Sequence, residues 1–150
     1  MSARKVILLV SGNSDDALLM RRALERNGVE GNVVVASDWV EALEYVFGGS
    51  RADGEGKRPL PAMVLLDLDL QPVDGLLVLR QLRAEERTKT IPVVVLSSSA
   101  AADGISLSYA AGANSVIYKP VSFARFSQAI GQVGAYWLGL NQCPPAPDRG

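Results

Sequence analysis

An aspartate, a serine and a lysine each close a run of apolar residues. Met63-Val64-Leu65-Leu66 ends in Asp67, Pro92-Val93-Val94-Val95-Leu96 ends in Ser97-Ser98-Ser99, and Ser115-Val116-Ile117-Tyr118 ends in Lys119-Pro120. If these ends line one crevice, a carboxylate, a hydroxyl and an ammonium meet there, a set suited to binding and neutralising an oxyanion such as a phosphoryl group. A fourth run, Val6-Ile7-Leu8-Leu9-Val10, ends in Ser11-Gly12-Asn13. A crevice built to hold a divalent cation would carry carboxylates at that point.

The elements that must position these groups follow from the pattern. Continuous Val/Ile/Leu runs of four to six residues alternate with helical periodicities, as βαβ units around a buried parallel sheet require. The strands read as residues 5–10, 32–36, 63–68, 92–96 and 115–118. The helices read as a first starting near Ser14, whose hydroxyl can cap it, a second from an N-cap at Asp38 through Trp39, Leu43 and Phe47, a third over 76–86, a fourth over 101–111 and a fifth capped by Ser122. Gly104 weakens the fourth, because glycine costs about 1 kcal/mol against alanine inside a helix. In the fifth, Phe126, Ile130, Val133 and Trp137 form an apolar stripe at helical spacing, with Tyr136, Leu138 and Leu140 adding bulk off the core face. Gly49 to Pro59 reads as a surface loop. Asp15 and Asp16 read as first-turn acids favoured by the helix dipole, and Arg80, Arg83 and Arg87 as a solvated face.

Composition narrows the function. The 150 residues suffice for one domain, with a single unit over 1–140 and a disordered Pro-rich tail over 141–150. Lys plus Arg number 15 against 16 for Asp plus Glu, so no bulk charge advertises a nucleic acid or a membrane. One cysteine, Cys143, excludes disulfides within a monomer and fits a reducing, cytoplasmic setting. The absence of histidine removes Ser/His and Cys/His catalysis and any role as a histidine phosphodonor.

The order of Leu65-Leu66-Asp67-Leu68, Pro72-x-Asp74-Gly75, Pro92 to Ser97, Ala111-Gly112-Ala113 and Lys119-Pro120 resembles the receiver domain of bacterial two-component response regulators, the CheY-like family. Ser97-Ser98-Ser99, Ser108-Tyr109 and Ala135-Tyr136-Trp137-Leu138 look most like the stand-alone receivers that partner bacterial phytochromes. The resemblance implies a flavodoxin-like α/β fold with five parallel strands, doubly wound in the order 2-1-3-4-5. It implies a phosphorelay signalling role rather than an enzyme, with Asp67 as phosphoacceptor, Ser97 as the switch hydroxyl, and Lys119 pairing with the acid and then the phosphate. Asp69 would offer a metal-binding carbonyl, and Pro120 would follow the lysine in the pocket turn.

Two features depart from the family pattern. The acidic pair that holds Mg²⁺ falls on Ser11 and Gly12, so Mg²⁺ binding should be weak and metal-assisted phosphorylation impaired. The switch aromatic falls on Val116, with Tyr118 two residues on as a substitute. Asp67 and Lys119 then balance as a simple ion pair. The implied partners are a sensor histidine kinase, a phytochrome among the candidates, and a second copy of the chain meeting through Tyr109, Tyr136, Trp137, Leu138 and Leu140. Two other readings stay open: a phosphorylation-competent receiver using Asp67, and a flavodoxin-like small-ligand binder or enzyme, for which no glycine-rich phosphate loop follows the first run.

Overall fold

Val, Ile and Leu occupy both faces of three central strands, which is what a parallel sheet covered by helices on each side demands. The computed structural model describes residues 5–27, 32–48, 60–68, 72–98, 102–119 and 122–144. Strands β1 (Val6–Val10), β2 (Asn32–Ala36), β3 (Met63–Asp67), β4 (Val93–Ser97) and β5 (Ser115–Tyr118) form one sheet in the order β2-β1-β3-β4-β5, every pairing parallel. All five residues of β1 and of β3 are buried, and only Ser97 of β4 is not. The edge strands β2 and β5 are partly open. This is the strand order anticipated from the sequence.

Helices α1 (Ser14–Arg26), α2 (Trp39–Leu43), α3 (Pro72–Ala84), α4 (Ala102–Ala111) and α5 (Phe123–Ala135) divide between the two faces, and π-helical turns extend α2 over Glu44–Gly48 and α5 over Tyr136–Leu140. One core packs Leu8, Val10, Val64, Leu66, Val93 and Val95 against Ala42 of α2, Val78, Leu79 and Leu82 of α3, and Ala111 of α4. The other packs Ile7, Leu9, Met63, Leu65, Val94 and Leu96 against Ala17, Met20, Ala23 and Leu24 of α1 and Phe126, Ile130 and Val133 of α5. The stripe expected on the fifth helix is therefore the core stripe.

Several local expectations are corrected. Asn13, not Ser14, caps α1: its side-chain oxygen accepts the Asp16 N–H at 3.0 Å, and Ser14 becomes the first helical residue. The caps at Asp38 and Ser122 are as expected. Helix α3 starts at Pro72 rather than Leu76, since a proline's fixed φ suits the first helical position. It stops at Ala84, where the buried Thr88 hydroxyl donates to the Leu82 carbonyl at 2.6 Å. Helix α4 runs unbroken through Gly104.

Arg83 is not part of a solvated face. Its guanidinium donates to the carbonyls of Gly112 (2.9 Å), Ile91 (2.8 Å) and Lys89 (3.1 Å) and to Asn114 Oδ1 (2.7 Å), and desolvation lowers its pKa from the usual arginine value. Gly112 turns the chain after α4 with φ 115°, a left-handed conformation open to glycine, and a Cβ there would meet the Arg83 stem. Leu138 is likewise corrected. With Trp137 it packs against the α1/α5 core instead of standing off it, while Tyr136 and Leu140 are exposed. The expected loop over 49–59, the tail beyond Pro144, Asp69 and Pro120 lie outside the described residues.

Candidate functional site

Register brings the candidate groups together. Val10 pairs with Leu66, so Ser11 and Asp67 stand side by side just past the point where the strand order reverses between β1 and β3, the place where open α/β sheets put their sites. Asp67 pairs with Leu96, Ser97 pairs with Tyr118, and the Lys119 N–H continues the ladder to the Ser97 carbonyl at 2.8 Å. Strand alternation sends Ser11, Asp67 and Lys119 to the α1/α5 face with Leu9, Leu65 and Ile117. Ser97, Val116 and Tyr118 fall on the opposite pleat, that of α3 and α4.

Asp67 lies at the centre, its side chain 3% exposed. Its Oδ2 accepts from Lys119 Nζ at 3.0 Å and lies 3.3 Å from Ser11 Oγ. The Ser11 hydroxyl is equally close to the Asn13 carbonyl, so its single proton is shared between two acceptors, and its oxygen accepts the Asn13 N–H at 3.3 Å. Lys119 Nζ also donates to Asp16 Oδ2 at 2.9 Å and sits 5.8 Å from the centre of the Phe126 ring. One ammonium thus bridges two carboxylates from α1 and β3.

That bridge adds a third member to the expected simple pair of Asp67 and Lys119: among the described residues, one ammonium faces two carboxylates. Asp16 was legible only as a helix-dipole acid. A signal existed in its spacing, since Asp16 lies four residues before the buried Met20 and so crowns the face of α1 that meets the sheet, whereas Asp15 does not.

The donor set does not fit a carboxylate-held magnesium ion. Ser11 is committed to Asp67 and Asn13, Gly12 has no side chain, Asp16 is held by Lys119, and no group of three or more His, Cys, Asp or Glu among the described residues is placed to hold a metal. What the pocket does present is a rigidly placed carboxylate beside an ammonium. Of the other candidates, Val116 packs on the α3/α4 core and its N–H donates to the Tyr109 hydroxyl at 3.3 Å. Tyr118 and Tyr109 are about half exposed. Among the described residues no helix is long and apolar enough to cross a membrane.

The model of the response regulator receiver domain matches residues 7–131. The chain belongs to that family. The receiver is 42% identical over 139 residues to the probable methanogenesis regulatory protein FilR2 of Methanothrix harundinacea, covering 93% of this chain and 87% of that one. It is 29% identical over 143 residues to the response regulator Rcp1 of Synechocystis, covering 95% of each. Among solved structures, the phosphorylated cyanobacterial phytochrome response regulator RcpA superposes with a TM-score of 0.83 at 35% identity, covering 95% of this receiver and all of that chain. The five-stranded sheet is accordingly the flavodoxin-like, CheY-like receiver fold.

Proposed function

We propose that this chain acts as a two-component response regulator receiver that takes a phosphoryl group on Asp67 from a sensor histidine kinase, slowly, and passes the signal on by protein contact. In the transfer a carboxylate oxygen of Asp67 attacks the phosphorus of a phosphohistidine. The P–O bond forms as the P–N bond breaks, and the leaving imidazole takes up a proton. The observation that carries the reading is the buried Asp67 carboxylate held at a strand end against Lys119, which would then pair with the phosphoryl oxygens. Ser97, one position from Asp67 across the β3–β4 ladder, would supply the switch hydroxyl.

Ser11 and Gly12 stand where a receiver keeps its metal-holding acids, so the developing phosphoryl charge loses that help. A metal's contribution of ~4 kcal/mol is on the order of a thousandfold in rate. The likeness to the phytochrome response regulator RcpA supports a phytochrome-type kinase as partner. The half-exposed Tyr109 and Tyr118 on the α4 and β5 side would serve as output surface, with Tyr136 and Leu140 supporting a homodimer.

The test is incubation with acetyl phosphate and millimolar Mg²⁺, followed by intact mass. The parent should gain one phosphoryl group slowly, Asp67→Asn none, and the variant Ser11→Glu plus Gly12→Asp should gain it much faster. Fast, Mg²⁺-saturable modification of the parent would overturn the impairment. No modification of either parent or restored variant would remove Asp67 as acceptor.

A further inference from the structure

We propose that Asp16 is a positioning residue of this pocket, one that holds the Lys119 ammonium and thereby restrains Asp67 from taking up a phosphoryl group. The inference rests on the reading of Asp67 as phosphoacceptor and adds a residue to it. Lys119 Nζ has three hydrogens; one goes to Asp67 Oδ2 at 3.0 Å and another to Asp16 Oδ2 at 2.9 Å. The lysine side chain is 10% exposed and that of Asp16 25%, so this contact is set inside the crevice rather than on an open surface.

Two effects of Asp16 have the same sign. It draws on the positive charge that a phosphoryl group on Asp67 would need, in a pocket that offers a hydroxyl and a glycine where acids would otherwise gather a cation. Its own negative charge also opposes the product, because converting a carboxylate into an acyl phosphate adds about one negative charge at that position. Neither effect belongs to the helix dipole, since Asp15 shares the first turn of α1 and the same dipole. The ion pair is specific to Asp16.

Removing one unit charge at ~6 Å changes the equilibrium or rate by between about threefold and a hundredfold, from a water-like to a protein-surface dielectric. The experiment follows phosphoryl uptake from acetyl phosphate by intact mass in the full chain, with Mg²⁺ chelated, for the parent, Asp16→Asn, Asp16→Glu and Asp15→Asn. Asp16→Asn should take up the phosphoryl group faster by a factor in that range. Asp16→Glu should restore the parental rate, and Asp15→Asn should keep it. Should Asp16→Asn lose its fold, Asp16→Ser carries the same expectation. Equal or slower uptake in folded Asp16→Asn and Asp16→Ser, or an equal gain in Asp15→Asn, would overturn the inference while leaving Asp67 as acceptor. No phosphoryl group on parent or any variant would remove the acceptor reading and the inference with it.

Discussion

Lys119→Ala should be among the more damaging single changes in this receiver, and its cost should be electrostatic. The lysine separates two carboxylates whose Oδ2 atoms both lie within hydrogen-bond reach of its Nζ. Removing one member of a buried ion pair costs ~3–5 kcal/mol, because the remaining charge stays desolvated. Asp16, 25% exposed, can recover water, but Asp67, 3% exposed, cannot, so the lower end applies. Loss of the contact with the Phe126 ring adds ~0.5 kcal/mol. A total of about 3.5 kcal/mol corresponds to a fall in Tm of roughly 7–14 °C for a domain of this size. Asp67→Asn leaves Lys119 its Asp16 partner and should stay within ~1 kcal/mol of the parent. The double variant Lys119→Ala plus Asp67→Asn, which removes the stranded charge, should recover about 2 kcal/mol relative to Lys119→Ala. Urea unfolding of the four proteins at neutral pH gives the cycle. A penalty below ~1 kcal/mol for Lys119→Ala, or no recovery in the double variant, would mean that the lysine acts through its aliphatic stem and not its charge.

Arg83→Lys should lose about 2 kcal/mol by urea unfolding, because an ammonium cannot span the four acceptors that the guanidinium reaches; parental stability would refute the role given to that fork. Glu41 accepts the Ser37 N–H at 2.7 Å and its hydroxyl at 2.8 Å, which lowers its pKa, with the backbone bond the larger cause. A depressed folded pKa gives stability that is present above the unfolded glutamate's range and lost as pH falls through the folded value. An NMR titration should therefore place Glu41 below the usual glutamate range, and Ser37→Ala should move it part of the way back. Sedimentation at ~50 μM, well above a micromolar dissociation constant, should show a dimer that Tyr136→Ser plus Leu140→Ser converts to monomer without loss of Tm; a monomeric parent ends that idea.

The strands were legible because a sheet covered on both faces needs uninterrupted apolar runs, and Asp67 and Lys119 followed from where those runs end. What escaped depends on contacts distant in sequence. Asp16 and Lys119 are 103 residues apart, and Arg83 meets acceptors on two separate segments, one around Ile91 and one around Gly112, so a periodicity that marks a helix face cannot say that one long side chain bends inward. The choice between Asn13 and Ser14 as cap was between neighbours of nearly equal capping strength. Leu138 was misplaced because the buried positions seven and four residues before it are Gly131 and Gly134, which belong to the packed face but add no apolar side chain to the stripe that periodicity counts.

Among the described residues, helix α4 is fastened towards its C-terminal end. Ala111 and Ser108 are buried, and Arg83 secures the Gly112 joint beyond them, whereas the residues from Gly104 to Leu107 are exposed. Amide exchange along α4 should therefore be graded, quick in its first turns and slow near Ala111, and the helix should detach at a free energy well below that of global unfolding. Such an opening would take the Tyr109 hydroxyl off the Val116 N–H and bare the outer margin of β5. An uncovered edge N–H is a pairing site for another strand, so each such opening would add a donor to the edge that β5 already presents to a neighbouring chain.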